Sequence, residues 1–186
     1  RQRVGTIREA TGADVDRAVA ASLAAAHAWD RVGGHQRARI LETAADLYER
    51  NRMRLMAVIV REAGKTLENA QGDIREAVDF LRYYASEARR LFAGPVTLPG
   101  PTGERNTLDL RARGPIAAIS PWNFPLAIFT GQVAAALAAG NPVLAKPAGQ
   151  TPVTAFLAVE LLHEAGVPKG VLHLLPGGGQ VGAMLI

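Results

Sequence analysis

Charge all but stops at Gly114, and this break limits what the chain can fold into. Of its 21 Lys and Arg residues only Lys146 and Lys169 lie beyond Gly114, and of its 17 Asp and Glu residues only Glu160 and Glu164 do. So long an uncharged stretch has to be buried, in lipid or in a protein core. The run between Arg113 and Lys146 is long enough to raise a membrane span. However, Pro121, Asn123, Pro125, Gln132, Gly140, Asn141 and Pro142 divide it into strand, helix and strand. A buried α/β core is the expectation, with no membrane span.

The order beyond Gly114 is then strand 116–119, helix 127–139, strand 142–145, helix 152–165, strand 171–175 and a glycine turn. Short links and alternating strand and helix make a Rossmann-like βαβαβ parallel sheet. Gly140-Asn141-Pro142 and Gly166-Val167-Pro168 supply the helix stops. The fold class is α/β, with N-terminal helices and a β-ribbon ahead of that sheet.

The charged part, residues 1–93, reads as four helices. Thr11 and Asp14 form a capping box with Asp in place of Glu, opening a helix with Val15, Val19, Ser22 and Ala26 on one face. A second carries Ile40, Ala44, Leu47 and Tyr48. A third starts at Asn51, carries Leu55, Val58 and Ile59, and stops at Gly64. Thr66 caps a fourth reaching Phe92, with a stripe of Ile74, Ala77, Val78, Leu81, Tyr84, Ala85, Ala88 and Leu91. These stripes read as core.

Residues 94–113 differ. Turn signals at Gly94-Pro95, Pro99-Gly100-Pro101 and Thr102-Gly103 flank Val96–Leu98 and Thr107–Arg111, which alternate as exposed strands do. An isolated ribbon is marginally stable, so it should pack on something outside the segment, such as another subunit. A homo-oligomerisation arm is the expectation. Residues 114–186 are taken as the first, incomplete part of a nucleotide-binding domain.

With 48% hydrophobic and 20% charged residues the chain is globular. Its net charge of +4 invites a nucleic-acid partner. The cations lie among acids, as in Asp73-Ile74-Arg75-Glu76 and Glu87-Ala88-Arg89-Arg90, which read as solvated helix faces. No nucleic-acid partner is expected. There is no cysteine, which excludes disulfides, thiolate metal sites and a cysteine nucleophile from this chain. The four histidines lack metal-ligand spacing, so no metal site is expected. No targeting segment is visible, which makes the cytoplasm the default compartment. The chain starts with Arg and ends about one turn into a helix, and is expected to be a piece of a longer protein.

Three loops follow the three strands and should emerge on one sheet edge, where open parallel sheets bind ligands. The first is Pro121-Trp122-Asn123-Phe124-Pro125. Its prolines fix a stiff turn and hold the Asn123 carboxamide on it. An equally available reading is a turn whose Trp and Phe pack and whose Asn caps the backbone. The second loop starts at Lys146, the one cation in a long apolar region. Its ammonium needs water or an anion, such as a ribose or phosphate ligand, or it snorkels to the surface. The third is Gly177-Gly178-Gly179-Gln180-Val181-Gly182, a G-x-G-x-x-G between strand and helix.

Pro121–Pro125, Ala145-Lys146-Pro147-Ala148 with Gln150-Thr151-Pro152, and Glu164–Pro168 leading into Leu175-Pro176-Gly177 together resemble the aldehyde dehydrogenase superfamily. Ala77–Ala85 and Gly94–Asn106 are similar to the L-glutamate-γ-semialdehyde (1-pyrroline-5-carboxylate) dehydrogenase modules of bifunctional proline-utilisation flavoenzymes. The resemblance covers essentially the whole chain and implies a truncated aldehyde dehydrogenase fold. It implies NAD-dependent oxidation of a small-molecule aldehyde to an acid, in which a cysteine thiolate attacks and a glutamate assists hydrolysis. By this resemblance Asn123 is the oxyanion-hole asparagine. Ile119, Ser120, Pro121 and Trp122 form the wall beside the cofactor, and Lys146 contacts the adenosine ribose. Gly179 and Gly182 lie in the turn approaching the cofactor, and are given less weight than Lys146. FAD is implied only if a proline dehydrogenase module precedes the segment.

Two departures stand out. Gly149 occupies the place of the family's usual glutamate beside the ribose, which leaves NADP open as an alternative to NAD. The family's cysteine and glutamate would lie beyond Ile186, so the segment alone should be inactive. Two other functions stay open: a dehydrogenase for a different semialdehyde or aldehyde, and a non-catalytic cofactor-binding or structural fragment.

Overall fold

A computed structural model describes residues 3–186. Four helices come first: α1 (Gly12–Arg31), α2 (Gly34–Arg50), α3 (Arg52–Ala63) and α4 (Leu67–Leu91). A two-stranded ribbon follows, β1 (Val96–Leu98) and β2 (Asn106–Leu108). The rest alternates: β3 (Ile116–Ile119), α5 (Ala127–Ala138), β4 (Val143–Lys146), α6 (Pro152–Glu164), β5 (Leu172–Leu174) and the short α7 (Gly179–Ala183).

The caps are those the sequence calls for. Thr11 accepts from the Asp14 N–H while Asp14 accepts from the Thr11 N–H, closing the box. Thr66 accepts from the Asn69 N–H at the start of α4, and Gly64 ends α3 in the left-handed region. The buried row of α1 differs from the expected one. Val15, Ala18, Ser22 and Trp29 are buried, while Val19 and Ala26 are only partly so. Steps of three and four residues from Val15 through Ala18 to Ser22 follow the line of contact with the sheet more closely than the row through Val19.

Strands β3, β4 and β5 form a parallel sheet in that order, with Ile116 opposite Val143 and Val143 opposite Leu172. Because both crossovers step the same way, right-handed connections put α5 and α6 on one face. That face carries the larger core, where Val143 and Ala145 meet α5, α6 and the inner faces of α2, α3 and α4. Leu144 points the other way, into a smaller cluster with Val15, Ala18, Leu175 and Val181 from α1, the end of β5 and α7. The core thus runs across the charge break at Gly114.

Helix α5 lies between the sheet and α4 and is apolar on every side, as a doubly covered helix must be. Tyr48 is fully buried between α5 and α6. Its hydroxyl donates to the Ala158 carbonyl at 3.3 Å and accepts from Thr130. Burial pushes its phenol well above the ordinary tyrosine value. Arg37 is also buried. Its guanidinium donates to the carbonyls of Asp30 (2.8 Å), Trp29 (3.3 Å) and Ala138 (3.0 Å), closing the C-terminal ends of α1 and α5 together. Its ring-like plane also lies over Phe92.

The ribbon is antiparallel, with Val96 opposite Leu108. Its second strand starts one residue earlier than expected and ends at Leu108. Beyond it Asp109 pairs with Arg111, and the Ala112 N–H donates to Asp30 at 3.1 Å. These bonds pull residues 109–112 back to the end of α1 and out of the ladder. No helix among the described residues is long and apolar enough to cross a membrane.

Replacing Arg37 with Leu leaves the Ala138 carbonyl without its donor and takes one of two donors from the carbonyls of Trp29 and Asp30, which keep the N–H groups of Val32 and Gly33. A loss of about 1–3 kcal/mol in unfolding free energy is expected. Urea unfolding of the full-length protein carrying this segment, followed by circular dichroism, should show a midpoint shift far larger than that of an exposed control such as Arg17→Leu.

Candidate functional site

The ladder between β3 and β4 ends with the Ser120 N–H donating to the Lys146 carbonyl at 3.1 Å. Ser120 is buried there, and Ile119 pairs with Lys146 in register. The chain then leaves the sheet as a turn. Pro121, Trp122, Asn123 and Phe124 are exposed, whereas Pro125 and Leu126 are buried as α5 begins. Gln132 of α5 reaches back and donates to the Ile119 carbonyl at 3.2 Å. The Asn123 carboxamide hydrogen-bonds to none of the described residues, so it is not a backbone cap. It borders a cavity of about 710 Å³ whose other walls include Phe124, Lys65, Glu68, Asp73, Arg75 and Glu76. Trp122, at 52% exposure, is not a core residue.

Lys146 shares the side of β4 that carries Leu144 and turns toward α7. It is buried, and its ammonium donates to two backbone carbonyls, Pro147 at 2.8 Å and Gly177 at 3.1 Å. Burial holds it below the ordinary lysine value. Two carbonyl dipoles meet this charge where the sequence calls for an anion or water, and one of its three N–H donors remains for a ligand. The lysine ties the loop after β4 to the glycine turn after β5. Gly182 lies against its stem, since a Cβ there would stand 3.5 Å from Lys146 Cε.

The glycine turn is not uniform. Gly177 has φ +154°, and a Cβ on it would fall 2.3 Å from Val181 Cγ2. Its own carbonyl is one of the two that hold Lys146. Gly179, the first residue of α7, faces open space. The stricter demand for glycine therefore falls at Gly177, ahead of the two glycines singled out from the motif.

The structure thus gathers Ile119, Ser120, Lys146 and Gly182 at the carboxyl ends of adjacent strands. Asn123 is set over a separate cavity against the start of α4. Three further residues, Asp73, Lys65 and Glu62, matter here that pattern reading missed. Asp73 reads from sequence as part of a solvated face, yet it is 1% exposed. It accepts the Ala127 N–H at 2.7 Å and Lys65 at 2.9 Å. Glu62 caps α6 in the same manner, accepting the N–H groups of Val153 (2.7 Å) and Thr154 (2.8 Å). The one available signal was indirect: neither α5 nor α6 has an acid in its first turn or a side-chain cap of its own.

The sequence model of the aldehyde dehydrogenase family matches residues 1–186. The chain belongs to the aldehyde dehydrogenase family. It is 52% identical over 183 residues to the bifunctional protein PutA of Klebsiella aerogenes, covering 98% of this chain and 13% of that one. It is 42% identical over 187 residues to 1-pyrroline-5-carboxylate dehydrogenase 2 of Halalkalibacterium halodurans, covering 100% of this chain and 36% of that one. Among solved structures it superposes on a Bradyrhizobium japonicum proline utilization A variant with a TM-score of 0.94 at 54% identity, covering 96% of this chain and 18% of that one. Thermus 1-pyrroline-5-carboxylate dehydrogenase with bound NAD gives 0.91 at 40% identity, covering 95% and 34%. The segment therefore has the aldehyde dehydrogenase fold over part of that fold's length.

In this aldehyde dehydrogenase segment the two ends of the glycine motif should respond differently to a methyl group. Gly177→Ala is expected to lower the melting temperature, because it displaces a carbonyl that holds Lys146. Gly179→Ala should change it little. Thermal denaturation of the full-length protein separates the two cases.

Proposed function

We propose that this segment supplies the oxyanion donor and part of the cofactor wall of an NAD-dependent dehydrogenase that oxidises L-glutamate-γ-semialdehyde to glutamate, a step of proline catabolism. One observation carries this reading. A Pro-bracketed turn at the carboxyl end of β3 presents the Asn123 carboxamide with no partner among the described residues, over a cavity of about 710 Å³. The similarity to PutA and to 1-pyrroline-5-carboxylate dehydrogenases points to the substrate. Glu68, Glu76 and Arg75 give the cavity wall both signs of charge, which suits an amino-acid semialdehyde.

The chemistry follows from these groups. As a nucleophile adds to the aldehyde carbon, its oxygen takes on negative charge, and the Asn123 side-chain N–H donates to it. The nucleophile comes from outside this chain, which holds no cysteine. NAD, when bound, supplies the hydride acceptor. The residues present fit it: Ile119 and Trp122 offer exposed apolar surface, Ser120 and Pro121 complete that wall, and Lys146 keeps one free donor for a ribose hydroxyl. FAD enters this reading only with a preceding proline dehydrogenase module.

The ribbon at residues 94–113 is read as an oligomerisation arm, because Val96, Leu98, Leu108 and Leu110 are all exposed on it. By the same reading residues 1–93 are the helical part and residues 114–186 the opening of the NAD-binding domain.

In the full-length enzyme Asn123→Ala should lower kcat by about a hundredfold or more. The NAD dissociation constant should stay unchanged. Equal losses in both would contradict the oxyanion role.

NADP is a second cofactor that Gly149 leaves room for. A Cβ at that position would meet only the Gly177 carbonyl, at 3.9 Å, so the space for a carboxylate is open and unfilled. Gly149→Glu should shift the NAD to NADP ratio of kcat/KM toward NAD by about tenfold or more, since a carboxylate repels a 2′-phosphate. An unchanged ratio would place the ribose elsewhere.

A further inference from the structure

A charged pair, a buried Asp73 and a half-buried Lys65, stands behind the Asn123 turn. The Asp73 carboxylate is wholly buried. One oxygen accepts the N–H of Ala127, the first residue of α5, at 2.7 Å, and the other accepts Lys65 Nζ at 2.9 Å. The same ammonium lies 4.1 Å from the centre of the Phe124 ring, close enough for a cation–π contact. Phe124 directly follows Asn123, and Ala127 is four residues beyond it. One Lys–Asp unit therefore holds two points on the outgoing side of the turn. The incoming side is held by the Ser120 N–H on the Lys146 carbonyl and by Gln132 on the Ile119 carbonyl.

Stability alone does not account for this pair. A helix N-terminus is capped as well by a neutral Asn or Ser as by Asp. A buried ion pair gains little net free energy, because desolvating both charges offsets their attraction. What the pair adds is direction. A carboxylate oriented by an ammonium fixes where the first N–H of α5 must lie, and the ammonium in turn fixes the ring beside Asn123.

We propose that Lys65 and Asp73 are positioning residues that aim the Asn123 carboxamide at the developing oxyanion. The proposal rests on the oxyanion reading of Asn123. Both border the cavity beside Asn123, but their hydrogen bonds go to each other and to the Ala127 N–H. They act by holding Phe124 and Ala127, so that the unpartnered carboxamide between two anchored ends keeps one direction before substrate arrives.

The test is a double-mutant cycle in the full-length enzyme with Asp73→Asn, Lys65→Met and Asn123→Ala. Asp73→Asn keeps the shape and an acceptor for the Ala127 N–H but loses the ion pair. It should lower kcat by about ten- to a hundredfold, the scale of a small misplacement of a catalytic group. NAD affinity should stay within about twofold, because the cofactor wall is held from the other side. Lys65→Met should do the same, and it serves as the cycle's partner if Asp73→Asn fails to fold. In the Asn123→Ala background either change should lower kcat by no more than about twofold further, because the group being aimed is gone. A loss that multiplies with that of Asn123→Ala would overturn the positioning role while leaving the oxyanion reading intact. So would wild-type kcat in both Asp73→Asn and Lys65→Met. Wild-type kcat in Asn123→Ala alone would overturn the oxyanion reading and this proposal with it.

Discussion

The ends of α5 and α6 have to be closed by residues from elsewhere, and much of the architecture depends on this. A helix leaves its first N–H and last C=O groups without partners, and buried helices cannot leave them to water. Helices α5 and α6 have no acid in their first turns and carry no side-chain cap of their own. The charged helical layer supplies what they lack. Asp73 of α4 takes the first N–H of α5, Glu62 of α3 takes two at the start of α6, and Arg37 of α2 takes the Ala138 carbonyl at the far end of α5. The uncharged half of the chain can be uncharged because the other half brings charge to it.

The same division explains which features could be read from the sequence. Helix caps such as Thr11 with Asp14 and Thr66 with Asn69 act over three residues, and strands such as Ile116–Ile119 and Val143–Lys146 show as local apolar runs. Asp73, Glu62 and Arg37 act over 54, 91 and 101 residues. A pattern rule that seeks partners three or four residues away assigns such groups to solvent, as it did with Asp73. Within Glu87-Ala88-Arg89-Arg90 the rule succeeds for Arg90, which pairs with Glu87. It fails for Arg89, which crosses to Glu42 of α2 and holds that carboxyl below its ordinary range. The ribbon shows a related limit. Alternation carried the expected second strand to Arg111, but ion pairs to Asp30 and Asp109 had already claimed those residues.

At the candidate site the stretch around Asn123 was legible because its chemistry is local. Two prolines and a strand end dictate a stiff exposed turn whatever surrounds them. Lys146 was legible as an anomaly, a cation inside a buried strand. Its partners were not, because they are backbone carbonyls and carbonyls leave no trace in residue identity. The glycine motif shows the opposite case, where identity overstates uniformity. Three glycines match the pattern, yet only backbone geometry separates Gly177, locked against Val181, from Gly179 in open space.

Packing and site geometry then become one problem at Asp73. The carboxylate that satisfies the start of α5 also determines where that helix begins, and the helix start determines where the turn before it ends. An apolar residue at that position would leave a buried N–H unpaired, at a cost of about 1–3 kcal/mol. A neutral capping residue would satisfy the N–H while leaving Lys65, half-buried at 13% side-chain exposure, without its counter-charge. Only an acid meets both demands, and an acid paired with Lys65 brings the ammonium to the Phe124 ring beside Asn123. The direction of an exposed carboxamide is therefore inherited from a requirement of the core. A turn that rests on so many buried contacts can remain open to solvent and still be rigid.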